Sequence, residues 1–99
     1  MTLGLSRPRN YGREVQQSRL AIAMQRGRVA YQVRCRRGVK TLSLAGSDGT
    51  YTLPFEGVAE LANTRRGHWE ARHVFDGRLL ASGISETDVI ARTIEVVWK

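Results

Sequence analysis

Residues 28–36 constrain the fold more than any other stretch. Val29, Tyr31, Val33 and Cys35 alternate with Arg28, Ala30, Gln32, Arg34 and Arg36. A period of two puts the first set on one side of a strand and the second on the other, so one face is core and the other is basic and solvated. One such strand buries too little surface to stand alone and needs partners. The chain supplies them. Arg37-Gly38 turns it, and Val39-Lys40-Thr41-Leu42-Ser43-Leu44 returns with Leu42 and Leu44 inward. Ser47-Asp48-Gly49 marks a second turn, and Thr50–Leu53 a further strand stopped by Pro54. Later, Trp69, Ala71, His73 and Phe75 alternate with His68, Glu70, Arg72 and Val74. Asp76-Gly77 is a hairpin turn, and residues 78–84 form the return strand.

Helices are expected at three places. Residues 13–25 are rich in good helix formers, with Gly27 placed as a stop. The same stretch also alternates: Leu20, Ile22 and Met24 would pair with Val33, Tyr31 and Val29 in a hairpin. Propensity favours the helix and pattern the strand; the helix is preferred. Phe55, Val58, Ala59, Leu61 and Ala62 sit at helical spacing over 55–63. Ser85-Glu86-Thr87-Asp88 resembles a capping box and opens a helix from 86 to about 92, after which β-branched Thr93–Val97 leads toward a closing strand. Two aromatic-led hairpins, at Tyr31–Leu42 and Trp69–Leu80, echo one another as a duplicated unit would. The expectation is a small single α+β domain over 13–99, dominated by antiparallel β-hairpins with one to three short helices. A flexible basic arm over 1–12, containing Arg7-Pro8-Arg9, precedes it.

Charge bears on function. The chain has 99 residues and a net charge of +7. Residues 1–40 carry ten Arg or Lys against one acid, Glu14, while residues 41–99 carry six against eight. Nine of the first ten cations are arginine, whose planar fork suits phosphate oxygens in pairs. A sign split of this kind points to a basic arm or face that meets a polyanion.

Catalytic and metal chemistry find little support. The candidate soft ligands are Cys35, His68 and His73, with no Cys pair and no His-x-x-x-His. His68 and His73 are five apart and face opposite sides of a strand. Cys35 reads as a buried inert thiol, and Glu56 and Glu60 as solvated helix positions. No phosphate-binding glycine motif is present. The expected protein is therefore not an enzyme and needs no metal, cofactor or small-molecule substrate. No apolar run reaches the roughly 20 residues a membrane helix needs, and the first residues do not read as a signal peptide; a cytoplasmic location is expected.

Residues 67–97 resemble AP2-like and integrase arm-type DNA-binding domains. The resemblance rests on Gly67-His68-Trp69-Glu70-Ala71-Arg72, the Asp76-Gly77 turn, Gly83, and Ser85-Glu86-Thr87-Asp88 opening a helix. It covers about a third of the chain. It implies a three-stranded sheet laid in the DNA major groove with a helix packed behind it. Glu70 and Val74 depart from that family's more basic outward positions.

The function expected is binding of nucleic acid, DNA or RNA, through the phosphate backbone. The candidate contacts are Arg7 and Arg9 on the arm, Arg28, Gln32, Arg34 and Arg36 on the strand, Arg37 and Lys40 beyond it, and the Arg65-Arg66 loop. The alternative is a small protein-interaction module, such as a phage-encoded inhibitor of a host nuclease complex, or a virion or assembly subunit that self-associates. Trp69, Arg72 and Trp98 are its candidate anchors.

Overall fold

The computed structural model describes residues 8–47 and 54–98, with side chains from Val15 onward. Helix α1 (Pro8–Gly27) leads into β1 (Val29–Arg36), β2 (Val39–Gly46), β3 (Glu56–Arg65), β4 (His68–His73) and β5 (Leu79–Gly83), and helix α2 (Glu86–Val97) follows. The five strands form one antiparallel sheet in the order β1-β2-β3-β4-β5. The molecule is thus the expected small α+β domain built from hairpins. Both helices lie on one sheet face. Leu20 and Ala23 of α1 and Val89, Ile90, Ala91 and Ile94 of α2 close over Val29, Leu42, Leu44, Ala59, Leu61, Ala71 and Ala81. No helix among the described residues is long and apolar enough to cross a membrane.

Helix α1 resolves the competition between pattern and propensity over 13–26. Leu20 and Ala23 are buried and Met24 packs beside them, at helical spacing, whereas Ile22, which the hairpin register would bury, is 49% exposed. The helix starts earlier than expected. Pro8 fits a first turn because its missing N–H would have no intrahelical partner there, so residues 8–12 are helical and not part of an irregular arm. Residues 1–7 of that arm, Arg7 included, lie outside the described residues, as do Asp48-Gly49 of the second turn and the strand expected at 50–53.

The largest correction is β3. Residues 55–63, expected as a helix, form most of a ten-residue central strand. Ala59 and Leu61 are buried while Glu60 and Ala62 are exposed, which is a period of two. Leu61 pairs with Lys40 on one side and Ala71 on the other. Two flanking strands satisfy its backbone from both edges, and that long-range pairing overrides a weak local helical preference. A register shift between Leu42 and Ser43 leaves Val58 without a β2 partner, a bulge after which Gly57 pairs with Ser43. With a strand after the first hairpin, the supposed duplication of hairpin plus helix does not hold.

At the C-terminal end, Ser85 caps α2 by accepting a hydrogen bond from the Asp88 backbone N–H at 3.0 Å. Asp88, nearly buried, accepts from the Ile84 backbone N–H at 3.0 Å and from Arg92 Nε at 3.2 Å. The helix then runs through Thr93–Val97, where a strand was expected. Thr93 is fully buried and its hydroxyl donates to the Val89 carbonyl at 2.6 Å, while Ile94 packs into the core, so burial on a helical stripe outweighs β-branching. Phe75, expected inward beside His73, lies past the end of β4 in the turn and is 88% exposed.

Gly83 holds this junction tight. A Cβ there would lie 2.7 Å from Asp88 Oδ2 and 2.9 Å from the Val89 backbone nitrogen, closer than atoms tolerate. Gly83→Ala is therefore expected to destabilise the fold by about 1–3 kcal/mol, the range for overpacking a closed site. The check is a lowered urea midpoint with unchanged slope.

Candidate nucleic-acid interface

The sheet face opposite the helices is the exposed one, and strand pairing fixes what it displays. Arg34, Thr41, Glu60 and Arg72 form one row across β1 to β4, and Gln32 sits beside Ser43 in the next. Arg34 and Arg36 are exposed, and Gln32, Thr41 and Ser43 are partly so. The expected basic strand face, with hydroxyls beside it, is therefore laid out on β1 and β2. Its centre is different. Glu60 and Glu70 interrupt the positive charge, and Arg72 is spoken for: it donates to Glu70 Oε1 at 3.3 Å and to the Gly77 carbonyl at 3.1 Å.

Topology adds a second basic element. β1 and β3 run the same way along the sheet, so the β1–β2 turn at Arg37-Gly38 and the β3–β4 turn at Arg66-Gly67 lie at the same end. Val39 begins β2 across from Ala62, so β3 overhangs that first turn by three residues, about 10 Å. A cleft of about 440 Å³ opens between the two tips, lined by Gly38, Lys40, Glu60, Asn63 and Trp69 among others. Asn63 closes the overhanging tip by donating from Nδ2 to the carbonyls of Arg65 at 3.0 Å and His68 at 3.1 Å. Arg65 and Arg66 stand exposed beyond it. Arg34, Arg36, Arg37, Arg65 and Arg66 form no ion pair among the described residues.

Arg37 is held against its own preference. Its φ is 54° and that of Gly38 is 80°, the paired left-handed conformation of a two-residue hairpin turn. Asparagine or glycine is the usual first residue there, because a longer side chain is strained with φ positive.

Other candidates fall elsewhere. Arg28, expected beside Arg34, precedes β1 with φ 49° at the opposite end, about 26 Å from Arg36 along the strand. Lys40 alternates with Leu42 and so faces the helices. Its Nζ lies 3.0 Å from Glu86 Oε2 and sits over the Trp69 ring at 5.3 Å. Glu86 neutralises it, and it is removed from the basic face. Arg19 is likewise taken by Glu95 at 3.1 Å, a pairing that raises its pKa. Arg9 lies on the first turn of α1. Cys35, expected buried, is exposed at the end of β1, where the helices no longer cover the sheet. Of the alternative interface residues, Trp98 is tied inward: its indole N–H donates to the Gly27 carbonyl at 2.7 Å. Trp69 packs against the core cluster.

Sequence reasoning missed the joining of the two tips, because the helix assigned to 55–63 hid the strand that brings them together. It also missed the cluster around Glu70. His68 Nε2 lies 3.2 Å from Glu70 Oε2, with Arg72 beside the other oxygen. The hydrogen bond with His68, aided by the Arg72 charge, holds the Glu70 carboxyl below the usual carboxylate range. A depressed carboxyl pKa contributes stability above the unfolded value, near 4.3, that is lost as pH falls through the folded value. His68→Ala is accordingly expected to move the Glu70 carboxyl titration upward, followed by carbon NMR of the side chain. An unmoved midpoint would contradict the assigned cause.

No family model, no curated protein and no solved structure matches the chain.

Proposed function

We propose that this chain is a non-enzymatic nucleic-acid-binding protein that grips the phosphate backbone of a duplex with the arginine rim where its two hairpin tips meet. One observation carries the reading. Arg34, Arg36 and Arg37 from one hairpin and Arg65 and Arg66 from the other stand at one end of the sheet without a carboxylate partner. Elsewhere, Arg19, Lys40, Arg72, Arg78 and Arg92 have partners, and the other described cations without one, Arg26 and Arg28, are only two and stand at the opposite end of β1. Five unpaired guanidinium groups on one rim repel one another, and phosphate oxygens supply the missing counter-charge in the bidentate geometry arginine prefers.

Glu60 and Glu70 in the middle of the exposed face favour contact along the backbone over deep insertion of the sheet into a groove. The resemblance of residues 67–97 to AP2-like and integrase arm-type domains makes duplex DNA the first ligand to try, with duplex RNA as its comparison. A cytoplasmic setting goes with this assignment.

Five phosphate contacts would release counterions enough for a log–log slope of affinity on salt of about −4 to −5. Arg34→Glu with Arg36→Glu is expected to abolish most of the affinity with the circular dichroism spectrum intact. Arg28→Glu, at the far end of β1, should cost far less. Fluorescence anisotropy with a labelled duplex measures both, and equal losses at the two ends, or wild-type binding indifferent to salt, would reject the proposal. A second expectation separates stability from function. Arg37→Asn relieves the turn and should raise stability by roughly 0.5–1 kcal/mol while weakening duplex binding. A variant more stable and equally tight would remove Arg37 from the contact.

A further inference from the structure

The two edges of the sheet are built differently. β1, at one edge, carries Arg34 and Arg36 and is followed by Arg37, and a charged edge resists pairing with another strand. β5, at the other edge, reads Leu79-Leu80-Ala81-Ser82-Gly83 and has no charged residue, no proline and, among the described residues, no strand beyond it. Exposed apolar side chains stand at both of its ends: Phe75 at 88% and Leu79 at 51% before and at its start, Ile84 at 64% just past its finish. An uncovered, uncharged edge flanked by exposed apolar groups is an open template for one more strand.

We propose that β5 pairs with β5 of a second copy of this chain, antiparallel about a twofold axis near Ala81, joining two five-stranded sheets into one of ten. The strand's own layout selects that occupant. Antiparallel self-pairing about Ala81 sets Leu79 of one copy across from Gly83 of its partner and next to Ile84, and the reverse, so the exposed apolar residues at the two ends of the strand come together. The interface is self-complementary, as a twofold contact requires. Charge selects it too. A chain of net charge +7 repels its own copies, and β5 lies four strand spacings, about 19 Å, from the arginines of β1, well beyond a physiological screening length. The nearer cations Arg72 and Arg78 are paired with Glu70 and Asp76, so at that edge two copies meet with little repulsion. A twofold axis normal to the sheet also puts both helix pairs on one side and both arginine-bearing faces on the other.

The test is sedimentation equilibrium of nuclease-treated protein in high salt, which removes any bridging nucleic acid. The wild type is expected to be a reversible dimer in the micromolar to submillimolar range. Leu79→Lys with Ile84→Lys should weaken the dimer by roughly tenfold or more, whereas Ile22→Lys, an equally exposed apolar site on α1, should leave it unchanged. A wild type monomeric at every concentration, a dimer that survives the double change, or one lost equally in Ile22→Lys would overturn the proposal. Should the double variant misfold, amide hydrogen exchange of wild-type residues 79–83 decides: edge amides must gain protection as protein concentration rises, and protection independent of concentration refutes the pairing. Salt-dependent duplex binding is measured separately and survives either result, so failure of self-pairing and failure of the nucleic-acid reading are distinguishable.

Discussion

The pairing of β3 on both of its edges is the interaction on which everything else rests. Its register with β2 joins the first hairpin to the sheet, and its register with β4 joins the second. Without it the chain would be two isolated hairpins, neither able to bury enough apolar surface to persist in water. Ala59 and Leu61, small and large in alternation, belong to the core in the middle of the sheet, beside the part that α2 covers over β4 and β5. The same strand sets the direction and overhang of the second tip relative to the first. The distribution of charge is thus a consequence of backbone pairing in a strand that carries only one cation, Arg65.

Cations in this molecule divide by location. Three on or beside the helices are neutralised in place, Arg19 by Glu95, Lys40 by Glu86 and Arg92 by Asp88, while Arg26 and Arg28 at the end of α1 form no ion pair among the described residues. These bridges are mostly exposed, and each adds little stability; together they withdraw positive charge from one side of the protein. Those at the β1 edge and hairpin tips are left bare. Glu60 lies two strands from Arg34, about 10 Å away, near the distance at which salt screens such a pair. The net +7 is thereby felt unevenly, with five of the unpaired arginines at the end of the sheet that carries the two hairpin tips.

How much of this was legible depended on whether the deciding forces were local. The alternation of Val29, Tyr31 and Val33 with Gln32 and Arg34 announces β1 because both faces of a strand leave their mark within a few residues. The cap at Ser85 and the turns at Arg37-Gly38 and Asp76-Gly77 are legible for the same reason. Residues 55–63 mislead because Val58, Ala59, Leu61 and Ala62 satisfy either period, and only the partners on both sides decide. Thr93 and Ile94 look like strand residues until Val89 and Ile90 place them on one helical stripe. At the candidate interface, Arg34 and Arg36 were legible as one face of a strand. The loss of Lys40 to Glu86 was not, since residues 46 apart in sequence meet only through the fold.

The bond from the Trp98 indole to the Gly27 carbonyl spans 71 residues and fastens the end of α2 to the end of α1. A Cβ on Gly27 would stand 2.9 Å from that indole ring, so the seat is made for it. During synthesis α1 emerges long before α2 exists, with Leu20, Ala23 and Met24 still uncovered. Helix α1 precedes all five strands and α2 follows them, so the surface that covers most of α1 is contributed by the element farthest from it along the chain. Such a closure makes non-local contact the condition for finishing the core.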